Sequence, residues 1–174
     1  MHYIYNLNLI EMIKNNHKED LDSEFLFSMS NIQKKLYNTA KYILINESDV
    51  SDAISNTIMR AYENYHKLRS KDKFNSWIMK IMINESYKIL KNNKKNNLFV
   101  SQYDLVSNHY EDNYIDLISA INSLEFKFKS VIVLFYYDDM DINTISYVLN
   151  LPKGTVKSRL YRAKKKLKEI MELD

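Results

Sequence analysis

Glycine and proline each occur once in 174 residues, where average usage would supply about twelve and nine. Hairpin turns and crossover connections draw on both, glycine for positive φ and proline for a preset turn angle. A chain this poor in them points to an all-α fold. A single glycine also excludes a phosphate-cradling P-loop, a dinucleotide fingerprint and a Gly-rich kinase loop. Cysteine is absent, which removes disulfides, thiolate metal sites and thiol nucleophiles. His2, His17, His66 and His109 are scattered along the chain, so no histidine cluster, metal or cofactor is expected. The longest apolar run, Val131 to Tyr137, falls far short of the ~18 residues of a membrane span, and no signal-peptide pattern opens the chain. It reads as cytoplasmic, without membrane insertion.

At 45% apolar residues the chain can bury one core or two small ones. Three- and four-residue apolar spacing predicts a weak helix from Ile4 to Glu11 and a long one from Glu24 through Phe25, Met29, Ile32, Leu36, Ala40, Ile43 and Leu44. Asp49 to Asp52 read as the start of the next helix, with Ala53, Ile54, Thr57, Ile58, Ala61 and Tyr65 as its stripe. His66 to Lys73 read as a basic loop. Phe74, Trp77, Ile78, Ile81 and Met82 open a helix towards Leu90. Lys91 to about Asn113 reads as a linker. Helices then follow at Tyr114 to Leu124, Lys127 to Tyr137, Ile142 to Leu149 and Lys153 to Glu172. The architecture expected is two small helical domains on a flexible linker: residues 1–93, a linker 94–112, and 113–174.

Charge falls in blocks that the net +3 conceals. Residues 67–95 carry nine basic and two acidic side chains, and 151–174 carry eight and three; 1–66 and 96–150 are net acidic. Two cationic surfaces separated by an acidic stretch suit a polyanionic partner met at two places. Solvated lysine-rich helix faces would give the same pattern.

The one proline and the one glycine lie two residues apart, in Leu151-Pro152-Lys153-Gly154-Thr155-Val156. Asn150 can take the left-handed conformation that ends a helix, and Pro152 suits the first turn of another. The C-terminal unit therefore reads as helix, tight turn, helix. On the second helix Val156, Leu160, Ala163 and Leu167 make one apolar stripe, while Ser158, Tyr161, Arg162 and Lys165 point away from it, with Lys157 and Arg159 flanking. An exposed tyrosine among cations near a helix N-terminus suits major-groove contacts.

The string from Ser130 to Leu134, Asp141 to Ser146 and then Pro152 to Ala163 closely resembles region 4 of bacterial extracytoplasmic-function (ECF) sigma factors, members of the sigma-70 family. Two upstream strings of that family are matched too. Asp49, Asp52, Ala53, Ile54, Thr57, Ile58, Met59, Arg60, Ala61 and Tyr62 fit one, and Phe74, Trp77, Ile78, Lys80, Ile81 and Asn84 fit the other. The resemblance implies a non-enzymatic RNA polymerase subunit that binds core RNA polymerase and directs initiation at promoter DNA. It implies −35 contacts from Thr155, Lys157, Ser158, Arg159, Tyr161, Arg162 and Lys165 in the helix-turn-helix. It implies −10 contacts from Lys67, Arg69, Lys71, Lys73, Trp77, Lys80 and Asn84, with Asn84 helping to hold a base taken out of the stack. Trp77 shares a stripe with Phe74, Ile78 and Ile81, so core packing competes with a role at the melting junction. Core-polymerase contacts are implied for Asp49, Asp52, Ser55, Asn56, Met59 and Arg60, where Ser55 and Asn56 replace the usual Gln-Glu pair. An anti-sigma factor is the further partner implied.

A polymerase-independent helix-turn-helix regulator is the alternative. One short recognition helix supplies a few contacts at ~1–3 kcal/mol each, which requires a dimer or a tether. No long heptad seam is evident, so a tether through polymerase is favoured. A small metal-dependent enzyme would need clustered carboxylates. Asp138, Asp139 and Asp141 are close in sequence but sit at a helix corner, where capping and solvation explain them.

Overall fold

The computed structural model of the protein describes residues 19–95 and 112–172. The expected N-terminal helix and most of the expected linker lie outside them. Seven α-helices are described: α1 (Glu19–Ile43), α2 (Glu47–Asn64), α3 (Phe74–Lys95), α4 (Asp112–Ser123), α5 (Phe126–Ile132), α6 (Ile142–Leu149) and α7 (Lys153–Met171). No strand occurs among the described residues, so the all-α expectation holds.

Periodicity located the helices, and local chemistry set their ends. Asn46, not the Asp49 to Asp52 stretch, caps α2: its side-chain oxygen accepts from the Ser48 and Asp49 amides at 2.8 and 3.4 Å, satisfying donors that the first helical turn leaves open. The expected loop from His66 to Lys73 contains two 3₁₀ turns, Tyr65–Lys67 and Lys71–Lys73. The linker does not start at Lys91, because α3 runs on to Lys95, and α4 begins at Asp112. Helix α5 tightens no further but widens, passing into a π-helical turn at Val133–Tyr137.

Every residue of the expected stripe is buried, from Phe25 to Ile43 in α1 and Leu44 just past its end. The buried face of α3 is rotated from expectation: Met79 and Ile83 go fully inside, while Trp77 and Ile81 stay half-buried at the edge. Phe25 meets Tyr62, Tyr65 and Phe74 edge-to-face at 5.2–6.0 Å, the arrangement ring quadrupoles favour. These rings pin α1, α2 and α3 into one bundle. Ile121, Leu124, Phe128, Val131, Ile145, Val148, Val156 and Ala163 carry the core through α4 to α7. The two bundles also touch: α3 packs on α6, and α1 on the turn after α5.

Candidate nucleic-acid and polymerase interfaces

The corner before α7 is built by hydrogen bonds that only a left-handed residue permits. Asn150 sits at φ 52°, ψ 51°. Its amide donates to the Tyr147 carbonyl at 3.3 Å, and the Leu151 amide donates to Ser146 at 3.0 Å, the paired bonds of a Schellman motif. Pro152 stands one position before the first helical residue rather than inside the first turn, and its carbonyl accepts from Val156 at 3.1 Å. Gly154 follows in the first turn, with nothing within 4 Å of where a Cβ would stand.

That corner fixes the rotation of α7. Val156 and Ala163 are fully buried, with Leu160 and Leu167 packed beside them. Lys157, Ser158, Tyr161, Arg162 and Lys165 face solvent, Tyr161 at 71% exposure, while Thr155 and Arg159 are half-buried on the flanks. The Ser158 hydroxyl donates to the Thr155 carbonyl at 3.0 Å, leaving its oxygen outward as an acceptor. Lys165 pairs loosely with Glu169 at 3.7 Å, an exposed contact too weak to withhold the ammonium from a phosphate. The surface is thus a cationic stripe with one aromatic ring.

Around α3 the residues implied in −10 contacts are not equally available. Arg69, Lys73 and Asn84 are exposed. Lys67 donates to the Asn64 side chain at 2.8 Å. Lys71 pairs with Glu24 at 2.7 Å and lies 3.9 Å from the Tyr65 ring. Desolvation pulls its pKa down, but the hydrogen bonds to Glu24 and Tyr65 and the charges of both together outweigh it and hold the ammonium above its usual pKa. Trp77 leans on Phe74, ring centres 5.9 Å apart, and is only half-buried. Both of its competing readings therefore keep a physical basis. Lys80 reaches away from α3 altogether: its ammonium lies 4.6 Å from the ring of Tyr147 in α6.

On α2, Asp52, Ser55 and Met59 are exposed and Asn56 half-buried. Asp49 accepts from Asn93 at 2.9 Å. Partial burial raises its pKa, the Asn93 bond opposes this, and the charge of Asp52 adds to it. Arg60 is exposed but engaged: its Nε meets Glu85 at 2.9 Å, and Glu85, only 5% exposed, also receives Lys88 at 2.7 Å. Arg60 is first a tie between α2 and α3. The sequence reading missed Glu85, whose signal was an acid on the inner side of α3 in a strongly basic block.

The three aspartates of the α5–α6 corner part company. Asp141 caps α6, accepting from the Thr144 amide at 2.6 Å, and those bonds hold its carboxyl below the usual range. Asp139 is exposed, with φ 51°. Asp138 neither caps nor faces water, contrary to expectation: at 4% exposure it meets the Thr39 hydroxyl of α1. Among the described residues no group of three or more His, Asp or Glu could hold a metal ion.

Residues 29–96 match the family model for sigma-70 region 2, and residues 114–167 match that for sigma-70 region 4. RNA polymerase sigma factor SigV of Bacillus subtilis is 27% identical over 136 residues, 76% of this chain and 82% of that protein. ECF RNA polymerase sigma factor SigW of the same organism is 25% identical over 155 residues, 78% and 82% respectively. The fold resembles the sigma factor RpoE crystallised with the anti-sigma factor NepR from Bartonella quintana: TM-score 0.72, 20% identity, 90% of this chain and 99% of that one. It also resembles CnrH in complex with the cytosolic domain of CnrY, at TM-score 0.67 and 20% identity, covering 95% and 96%. A bundle matching region 2 ahead of a helix-turn-helix matching region 4, with ECF relatives aligned across both, places the chain among the ECF sigma factors of the sigma-70 family.

Proposed function

We propose that this chain binds core RNA polymerase and directs it to start at promoters carrying particular −35 and −10 elements. The observation that carries this reading is the outward stripe of α7, set by the corner at Asn150, on the same chain as a region 2 bundle. Residues 113–174 are the −35 unit, with Lys157, Ser158, Tyr161 and Arg162 over base edges and phosphates and Thr155, Arg159 and Lys165 at its margins. Residues 1–93 form the −10 and polymerase unit, and α3 runs two residues past that bound to Lys95. Asn84, exposed on α3, reads an extruded base, and Arg69 and Lys73 lie along the backbone path. Asp52, Ser55 and Met59 form the exposed polymerase-facing patch, and Arg60, also exposed, ties α2 to Glu85 of α3 beside it. The role is that of an initiation factor in the cytoplasm, not an enzyme. The neighbour crystallised with the anti-sigma factor NepR supports an anti-sigma factor as a further partner.

Core polymerase with and without the protein, transcribing a promoter library, tests this. New, protein-dependent start sites with shared −35 and −10 sequences are expected. Identical starts in both reactions would refute it.

A further inference from the structure

Of the hydrogen bonds that build the α6–α7 corner, one runs against the habit of its residue type. A serine or threonine inside a helix usually donates its hydroxyl back to a carbonyl three or four residues earlier. Ser28, Ser30, Thr57 and Ser158 do so, to Glu24, Phe27, Ala53 and Thr155. Ser146 of α6 donates forward instead, across the end of its helix, to the Leu151 carbonyl at 2.5 Å. The Ser146 carbonyl in turn accepts the Leu151 amide at 3.0 Å. One residue of α6 therefore holds both backbone groups of Leu151.

Leu151 is the last residue before Pro152, where the chain has little else to hold on to. Proline has no amide hydrogen to donate, and the Pro152 carbonyl is already the first acceptor of α7, bonded by Val156 at 3.1 Å. The proline ring also biases Leu151 to extended backbone, so the two bonds from Ser146 act on a residue with few conformations left. Only Pro152 separates this two-point clamp from α7. The inner face of α7 rests on Val156 and Ala163, apolar contacts that resist separation but have no direction. At 1.5 Å per residue Arg162 stands about 13 Å along α7 from Lys153, so a tilt of about 5° at the corner moves it roughly 1 Å. That is twice the ~0.5 Å within which a recognition side chain must be held.

We propose that the Ser146 hydroxyl is a positioning group for −35 reading: by holding the Leu151 carbonyl it fixes the tilt at which α7 presents Lys157, Ser158, Tyr161 and Arg162 to a duplex. The inference rests on the −35 reading of α7 and adds the residue that sets its precision. Base contacts carry sequence preference and depend on hydrogen-bond geometry. Phosphate contacts tolerate small shifts, because attraction between charges falls off slowly with distance. Loss of the hydroxyl therefore costs discrimination before it costs affinity. A bond that merely satisfied the half-buried Leu151 carbonyl would behave otherwise, since its loss would lower stability and weaken binding to all DNA alike.

Ser146→Thr keeps the hydroxyl, and Ser146→Val has the same branched shape without it, so the pair isolates one O–H. Each full-length chain is bound to core polymerase and titrated onto a promoter recovered from the start-site library, and onto that promoter with its −35 element scrambled. The ratio of the two affinities should fall about tenfold in Ser146→Val and stay within about twofold of the unchanged protein in Ser146→Thr. Affinity for the scrambled promoter should be the same in all three. In the free chain, hydrogen exchange of the Leu151 amide should be about tenfold faster in Ser146→Val than in Ser146→Thr, with helix content by circular dichroism unchanged. A Ser146→Val chain that keeps its −35 discrimination, or that weakens on both promoters equally, would overturn the inference. Equal loss of discrimination in the two variants would do the same. An unchanged protein with no preference between the two promoters would overturn the −35 reading itself, even where amide exchange still tells the variants apart.

Discussion

Lys129 shows how a single residue can oppose the fold that contains it. It is 6% exposed in α5, and its hydrogen bond to the Asn122 side chain is a long 3.5 Å. Burial draws its pKa down to about 8. Because the unfolded chain holds that proton more tightly, folding stability should rise with pH between about 8 and 10.5. Lys129→Met keeps the length and removes the buried charge. It should raise stability at pH 7 by about 1–3 kcal/mol and flatten the rise above pH 8, measured by urea unfolding across pH. Asp138 is the same case with the charge reversed: burial favours its neutral form too, so the stability it contributes is lost as pH rises through about 6.

At the scale of elements, α2 divides its residues between two tasks. Reversing the charge of Arg60 would set a carboxylate against the buried Glu85. With Arg60 half exposed and Lys88 still paired to Glu85, the expected result is a loss of about 1–3 kcal/mol of stability, which a binding assay would misread as a lost contact. Asp52→Arg with Met59→Ala acts on exposed positions alone. That pair should keep the melting temperature within a few degrees while weakening pull-down of core polymerase at least tenfold. Unaltered pull-down would move the contact off α2. The same division explains how much of the fold could be read from sequence. The stripe of α1 and the helix-turn-helix around Asn150 were visible because each depends on neighbours in the chain. The Asn46 cap, the extra turn of α3 to Lys95 and the inward face of Met79 and Ile83 were not. Apolar spacing does not mark helix ends, and it cannot tell which of two adjoining faces a partner helix will cover. The Thr39–Asp138 contact was further out of reach, since it joins residues 99 positions apart.

Across the whole molecule, the proposed function has the two readers acting on different states of the same DNA. Arg162 and Tyr161 stand on a helix whose outward stripe suits the groove of paired DNA, so Arg162→Ala should weaken closed and open complexes alike. Asn84 has an amide edge that a stacked base cannot meet, so Asn84→Ala should spare initial duplex binding and reduce opening. A pre-melted −10 bubble should shrink the Asn84 defect only in part, leaving base preference impaired. Permanganate footprints on duplex and bubble templates measure both. Normal opening with unchanged −10 preference in Asn84→Ala would remove that residue from the reading.

Gly154 gives the scarcity of glycine a direction. Its backbone is not in the left-handed region, and a methyl group there would touch no atom of the protein. Alanine would fit, and in a helix interior it is favoured over glycine by ~1 kcal/mol. The fold itself thus makes no demand for the residue that the rest of the chain does without. What the missing side chain leaves is bare peptide at the mouth of α7, one position before Thr155 and three before Lys157, where the sugar-phosphate chain of a bound duplex can lie against the main chain without a methyl group between them.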